Sequence, residues 1–160
     1  MSALETDLRT GLTALGEDPA SHPCNKYLSY LHLLQHWNRA YNLSGIRAPG
    51  RMLTHHVLDS LAVLPHLHGV RCLDVGSGAG LRGLILALAR PETHWVLLDS
   101  NGKKVRFLNQ CVRELAIANV EVVQARVESY APAAPFATII SRSYGSFFEF
   151  HVATVRYQAP

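Results

Sequence analysis

The first third of the chain repeats apolar positions with the period of an α-helix. Between residues 28 and 41 these positions lie three or four residues apart, which predicts an amphipathic helix ended by the turn sequence IRAPG at 46–50. The same spacing runs from residue 52 to residue 64 and predicts a second helix, which Pro65 stops. The two stripes consist of Leu28, Leu31, Leu34, Asn38 and Tyr41, and of Met52, Leu53, His56, Val57, Ser60, Leu61 and Leu64. Residues 1–66 are therefore predicted to form a helical N-terminal cap.

The period changes after residue 67, where short apolar runs begin to alternate with helical patterns. The order is strand, helix, strand, helix, strand, an irregular connection and a fourth strand. The six segments are RCLDV (71–75), LRGLILALAR (81–90), HWVLLD (94–99), GKKVRFLNQCVRELA (102–116), VEVVQA (120–125) and FATIIS (136–141). This alternation predicts an α/β fold with a parallel, doubly wound sheet and helices on its faces, which we assign to a domain over residues 67–160.

Composition and charge narrow the class of protein. Hydrophobic residues make up 48% of the 160 and charged residues 17%, and no apolar run approaches the ~20 residues of a membrane helix. The first ten residues lack the basic and apolar regions of a secretory signal, and the three cysteines are an odd number at wide spacing. We therefore expect a cytoplasmic protein with reduced thiols. From residue 23 onward there are 14 lysines and arginines against eight acids, a surplus that suits RNA, although many enzyme surfaces carry one without such a partner.

The stretch CLDVGSGAGLRG at 72–83 places four glycines directly after a predicted strand. Gly78, Gly80 and Gly83 fit the dinucleotide fingerprint, and Asp99 lies where a ribose-binding acid is expected. Counted instead from Asp74, the loop reads D-x-G-x-G-x-G, which resembles the first motif of S-adenosylmethionine-dependent methyltransferases. Glycines let the backbone approach a ligand, and the N–H groups that open the next helix attract an anion. The loop alone is compatible with a methyl donor, a nicotinamide cofactor or no ligand.

Six stretches, the glycine loop among them, resemble one family: the bacterial small-subunit (16S) ribosomal RNA guanine-N7 methyltransferases, also called glucose-inhibited division protein B. They are HWNRAYNLSGIR (36–47), HHVLDSLAVLPHL (55–67), LDVGSGAGL (73–81), LLDSNGKKVRFL (97–108), ARVE (125–128) and SRSYGS (141–146). Together they follow the family's order and spacing. The resemblance implies a Rossmann-like class I methyltransferase fold, S-adenosylmethionine as the cofactor, and small-subunit ribosomal RNA or the assembling small subunit as the partner.

The resemblance also implies a set of site residues. It places two residues of the first loop against the methyl donor, two residues after the third strand at its adenine, and an arginine at the mouth of the site. Together with the other loop glycines and the acid that ends the second strand, the predicted cofactor site consists of Gly76, Gly78, Gly80, Leu81, Asp99, Val127, Glu128 and Arg142. All of them follow predicted strands, so they converge on the carboxyl edge of a parallel sheet.

The implied reaction limits the catalytic groups that we expect. Guanine N7 carries an in-plane lone pair, so methyl transfer to it needs no general base and its rate comes from alignment. We therefore expect neither a Ser-His-Asp arrangement nor a pair of catalytic carboxylates. We also expect no metal site, because no cysteine, aspartate or second histidine pair completes one with His32 and His36. Arg142 is the predicted catalytic contact to the guanine O6 edge or to a flanking phosphate, and Arg126, Lys103 and Lys104 are predicted to hold the RNA backbone.

Three features depart from the family. One lies beside the fourth predicted strand, where Ala137 replaces the acid that the family commonly has and the following stretch reads SRSYGS. Arg82 follows the loop's leucine where the family usually has a proline, and after about Phe148 the sequence looks foreign to the family. About three C-terminal strands of the fold class are then expected to be missing, which would leave one sheet edge open. Two alternatives stay open. The departures at the C-terminus suggest a weak or inactive remnant that binds the donor or RNA, and the glycine loop is compatible with a nicotinamide-dependent oxidoreductase.

Overall fold

The computed structural model describes residues 1–76, 82–141 and 145–160. The cap begins with α1 (Ala3–Ala14) and α2 (Cys24–Tyr41). Two short helices, α3 (Pro49–Met52) and α4 (Asp59–Leu61), follow on either side of a π-helical turn (Leu53–Leu58). The remaining elements are β1 (Arg71–Val75), α5 (Gly83–Ala89), β2 (His94–Asp99), α6 (Gly102–Glu114), β3 (Val120–Gln124), β4 (Thr138–Ile140) and α7 (Phe147–Thr154).

The end of α2 is set by two asparagines. Asn42 takes the left-handed conformation, with φ of 49°, and closes the helix. The amide of Asn38 donates to the carbonyl of Ser44 at 2.9 Å and accepts from its N–H at 2.8 Å, which fixes the chain as it leaves the helix. Helix α2 therefore stops before the IRAPG turn that was predicted to end it, because side-chain hydrogen bonds close it earlier.

The second predicted helix is interrupted. All seven positions of its stripe are buried, as the spacing predicts. The prediction of one continuous α-helix is nevertheless wrong, because the π turn separates α3 from α4 and widens the backbone spiral by one residue per turn. His56 lies within this turn, and its Nε2 is 2.8 Å from the hydroxyl of Ser44. This contact ties the interrupted segment to the loop after α2.

The four strands form one parallel sheet in the order β3-β2-β1-β4, which confirms the predicted sheet. The chain moves from β1 through β2 to β3 in one direction and then returns to place β4 on the other side of β1. The carboxyl ends of β1 and β4 therefore flank the point where the strand order reverses, and ligands of such sheets bind in the crevice at this edge.

Both faces of the sheet are covered. On one face, α5 and α6 pack together with the cap in a single core that includes Tyr30, Leu34, Trp95 and Phe107. On the other face, a second cluster holds Leu73, Val75, Val96, Leu98, Val127, Phe136 and Tyr157. The helical segment ends at His66, but the division of the chain into two domains there stays a prediction.

Three further features bear on the predictions. Cys24, Cys72 and Cys111 are free and buried, and burial raises the pKa of the Cys72 thiol to about 11. In the described part of the chain, no helix has both the length and the apolar composition that a membrane span requires. Helix α7 begins with a capping box between Ser146 and Glu149 and leaves the side chain of Phe148 73% exposed.

Candidate functional site

A cleft of about 180 Å³ lies at the carboxyl edge of the sheet, where β1, β2 and β3 end. It contains four of the eight predicted site residues and one predicted RNA contact. The residues that line it are Val75, Gly76, Leu98, Asp99, Ser100, Ala125, Arg126, Val127 and Glu128. The parallel topology therefore brings together positions more than fifty residues apart in the sequence.

Gly76 forms the floor of the cleft directly after β1. Its φ of +67° lies in the region that strongly favours glycine, and its N–H donates to the carbonyl of Leu98 at 2.7 Å. A Cβ built on Gly76 would meet no described atom within 4 Å. The backbone at this point is thus open to a ligand, as the glycine motif predicts.

Asp99 ends β2 and is buried, with 7% of its surface exposed. Its Oδ1 accepts from the N–H of Asn101 at 2.8 Å. The side chain of Asn101 in turn caps α6 by accepting from the N–H groups of Lys103 and Lys104. This chain of hydrogen bonds fixes the carboxylate of Asp99 at the cleft wall.

Val127 and Glu128 begin a 3₁₀ turn after β3; the side chain of Val127 is buried and that of Glu128 is exposed. Residues near the end of the chain hold this turn. The Tyr157 hydroxyl donates to the carbonyl of Val127 and lies 2.7 Å from the carbonyl of Tyr130, while Arg156 donates to the carbonyl of Glu128 at 2.7 Å. Neither anchor could be predicted from the sequence, because a tyrosine and an arginine far along the chain carry no local signal.

Asp74 is a buried residue of β1, next to Val75, which lines the cleft. It is 2% exposed, and burial raises the pKa of its carboxyl to about 7, against the lowering effect of the Gly83 N–H and of Arg82. Its Oδ2 accepts from the Gly83 N–H at 2.8 Å. The expectation that the N–H groups opening α5 face a ligand anion is therefore wrong for Gly83, whose N–H is bonded to an internal carboxyl group.

Gly83 is also a point of close packing. A Cβ there would come within 2.5 Å of Leu97 Cδ2 and 2.6 Å of Asp74 Oδ2. The last glycine of the fingerprint thus lets α5 lie against β2, which is the packing role that this position has in Rossmann-type folds.

Arg82 links the cap to the start of α5. Its Nη2 lies 3.1 Å from Asp59 Oδ2, so the arginine found where the family usually has proline forms an ion pair with α4. In the structure Asp59 pairs with Arg82, whereas His56 contacts Ser44.

Four predicted site residues, Gly78, Gly80, Leu81 and Arg142, lie outside the described residues, and their roles stay predictions. Arg126, predicted to hold RNA, lines the cleft itself. Within the described part of the chain, histidines, cysteines and acids form no group suited to a metal ion.

Comparison with known proteins gives the family. The family model described as rRNA small subunit methyltransferase G matches residues 23–158. A ribosomal RNA small subunit methyltransferase G from Hahella chejuensis is 49% identical over 139 residues, which cover 87% of this chain and 64% of that protein. The corresponding protein from Alkalilimnicola ehrlichii is 50% identical over 139 residues, covering 87% and 63%. The chain spans just under two thirds of the length of these relatives.

Solved structures resemble the fold at low sequence identity. A putative O-methyltransferase from Klebsiella pneumoniae superposes with a TM-score of 0.58 at 15% identity, over 82% of this chain and 61% of that chain. The O-methyltransferase TomG from Streptomyces achromogenes, solved in complex with SAM, gives 0.55 at 17% identity over the same shares. These likenesses show a Rossmann-like fold.

The family match also corrects the expectation that the chain becomes foreign after Phe148. The match continues to residue 158, and the segment concerned contains the Arg156 and Tyr157 anchors of the cleft. This segment is therefore family sequence that packs against the site. With a family model covering most of its length and relatives at about half identity, the chain belongs to the GidB family, rRNA small subunit methyltransferase G.

Proposed function

We propose that the chain binds S-adenosylmethionine in this cleft and transfers its methyl group to N7 of a guanine in small-subunit ribosomal RNA. The reaction is proposed to take place in the cytoplasm, where the small ribosomal subunit is assembled. The observation that carries the proposal is the pairing of an open positive-φ glycine, Gly76, with the buried carboxylate of Asp99 on one cleft wall. The family and its named relatives support this reading.

The charges of the cleft favour a methyl donor over a nicotinamide dinucleotide. Two acids, Asp99 and Glu128, and one base, Arg126, line the cleft, and the N–H that opens α5 is already bonded to Asp74. A dinucleotide would bring a pyrophosphate with two negative charges against these acids. S-adenosylmethionine carries a sulfonium and an ammonium against one carboxylate, so its net positive charge is the better match.

The residues present fit the donor. Asp99 would accept hydrogen bonds from the ribose hydroxyls, Gly76 would lie against the donor through its open backbone, and Val127 with Glu128 would hold the adenine. When bound, the donor supplies an electrophilic methyl group on sulfur. Arg142 is proposed to contact the guanine O6 edge or a neighbouring phosphate. Because N7 already offers a lone pair, the protein's contribution is to hold the two reactants in line and to keep water out.

Donor binding is tested by calorimetry with S-adenosylmethionine on the wild-type chain and on Asp99→Asn. Hydrogen bonds to a charged group contribute about 1.5–3 kcal/mol, so the variant should bind the donor roughly 10- to 100-fold more weakly. Glu92→Gln is the matched control, because Glu92 is an exposed acid at the opposite, amino end of β2. Equal affinity in Asp99→Asn, or binding of NADH in place of the donor, contradicts the proposal.

Transfer is tested with labelled donor on small-subunit RNA and on small-subunit particles. Reduction followed by aniline cleavage then reports whether the new methyl group lies on guanine N7. Arg142→Ala should lower transfer while leaving donor affinity within a factor of two. Donor binding without any transfer in the wild-type chain would instead identify the non-catalytic binding protein.

A further inference from the structure

Two stretches of the chain contain bases and no acids. Residues 19–58 hold four lysines and arginines without an aspartate or glutamate, and residues 100–113 hold another four. The first stretch contains α2 and the loop after it, and the second contains most of α6. A run of this kind is ordinary by itself, so its meaning depends on where the two stretches lie relative to each other.

The structure packs these two stretches together. The Trp37 ring of α2 meets the Phe107 ring of α6 edge-on, with 5.6 Å between centroids. The ammonium of Lys103 lies 5.8 Å from the centroid of the Tyr41 ring. Beside Tyr41, Arg47 donates to the side chain of Asn42 at 2.7 Å. Bases from both stretches therefore lie near the C-terminal end of α2, Lys103 beside Tyr41 and Arg47 beside Asn42.

We name this region the α2–α6 basic surface and define it by Arg47, Lys103 and Lys104. Arg47 and Lys103 are exposed, and Lys104 is partly exposed. Within the described ranges none of the three takes part in an ion pair, whereas Arg82 and Arg90 are paired with Asp59 and Glu17. The three charges are thus available to an anionic partner.

The α2–α6 basic surface adjoins the cleft. The N–H groups of Lys103 and Lys104 are capped by Asn101, whose own N–H is bonded to the carboxylate of Asp99. Ser100, which lies between Asp99 and Asn101 in the sequence, lines the cleft. A polyanion held by these bases would therefore be fixed in position relative to the bound donor.

We propose that the α2–α6 basic surface binds the phosphate backbone of the RNA that flanks the target guanine. The inference rests on the proposed function, since it takes RNA as the substrate. Contacts between cations and phosphates set the register of a nucleic acid without reading its sequence. The ring of Tyr41 packs 5.4 Å from the Trp37 ring and 5.8 Å from the Lys103 ammonium, so it supports the lysine at this surface.

The test measures RNA affinity against salt concentration by fluorescence anisotropy with a labelled small-subunit RNA fragment. The variant Arg47→Gln/Lys103→Gln/Lys104→Gln should lower the slope of log affinity against log salt by about 2–3, because each lost phosphate contact removes about 0.7–0.9. At 0.1 M salt the same relation gives roughly a five- to eightfold loss of affinity per contact. Donor affinity, measured by calorimetry, should stay at the wild-type value and shows that the variant is folded.

The matched control uses α6 itself. Lys103→Gln and Arg113→Gln each remove one exposed positive charge, but Arg113 lies at the far end of the helix and donates to Gln110. Lys103→Gln should change the salt slope and Arg113→Gln should not. Equal slopes in the two single variants, or an unchanged slope in the triple variant, refute RNA binding by the α2–α6 basic surface. Methyl transfer by the wild-type chain would then still support the proposed function. RNA binding that depends on the surface, but without methyl transfer, sustains the surface and refutes the function.

Discussion

The carboxyl group of Asp74 gives a quantitative prediction of pH-dependent stability. In the folded chain burial raises the pKa of Asp74 to about 7, from 3.8 in the unfolded chain. A proton therefore binds the folded state more tightly. The stabilisation from this proton is complete below pH 3.8 and is lost as the pH rises through about 7. The difference of roughly three pKa units corresponds to about 4 kcal/mol over the whole window.

The perturbation is Asp74→Asn, which keeps the size of the side chain and an oxygen that can accept from the Gly83 N–H. Asparagine does not ionise, so the pH dependence due to this position should disappear. Between pH 5 and pH 7 the stability of the wild-type chain should fall relative to the variant by about 2 kcal/mol, because the slope of 1.36 kcal/mol per pH unit is halved as the pH reaches the folded pKa of about 7. Other groups that titrate in this range affect both proteins equally.

Urea unfolding at a series of pH values measures the difference directly. The stability of Asp74→Asn minus that of wild type should rise from pH 5 to pH 8. Glu92→Gln, the removal of an exposed acid at the amino end of β2, is the control and should follow wild type at every pH. Parallel curves for Asp74→Asn and wild type would show that the buried carboxyl does not titrate as burial requires.

Two further substitutions test the packing around the cleft. Gly83→Ala should destabilise the chain by about 1–3 kcal/mol, because the new methyl group overlaps Leu97. The control Gly50→Ala, on an exposed helix with open space around the Cβ, should leave stability unchanged or raise it by up to ~1 kcal/mol. Similar urea midpoints for the two variants would refute the close approach of α5 to β2. Tyr157→Phe leaves the carbonyls of Val127 and Tyr130 without its hydroxyl, so it should cost about 1–3 kcal/mol and also weaken donor binding in calorimetry. A loss of stability with donor affinity unchanged would mean that this hydroxyl does not position the cleft turn.

The parallel sheet could be predicted from the sequence because its central strands, β1 and β2, are buried on both faces and read as nearly continuous apolar runs, with helical patterns between the strands. The segments for β1, β2 and β3 agree with the structure to within a residue. The glycine motif likewise located Gly76 and Asp99 at one edge, because parallel strands end together there. These predictions rest on local pattern and on topology rules that apply to any sheet of this kind.

Other features depend on contacts that no local pattern records. Tyr27 and Tyr30 are fully buried on α2, although the predicted stripe began at Leu28: the Tyr27 hydroxyl lies 2.9 Å from His22 Nδ1, and the Tyr30 ring packs 6.3 Å from the Phe107 ring of α6. The π turn has no signal in the spacing, since its buried positions still recur every three or four residues. The end of the chain looked foreign because its role lies in contacts with a turn that precedes it by some thirty residues.

The pairing of β1 with β4 has a consequence for how the chain folds. Cys72 lies opposite Thr138, so the β1–β4 ladder joins residues that both helical crossovers of the sheet separate along the chain. In contrast, β2 pairs with β1 and β3, the strands that come directly before and after it in the chain. Closing so long a loop costs chain entropy before its contacts can form. We expect β4 to join after the folding transition state, so weakening this strand should hasten unfolding and leave the refolding rate almost unchanged.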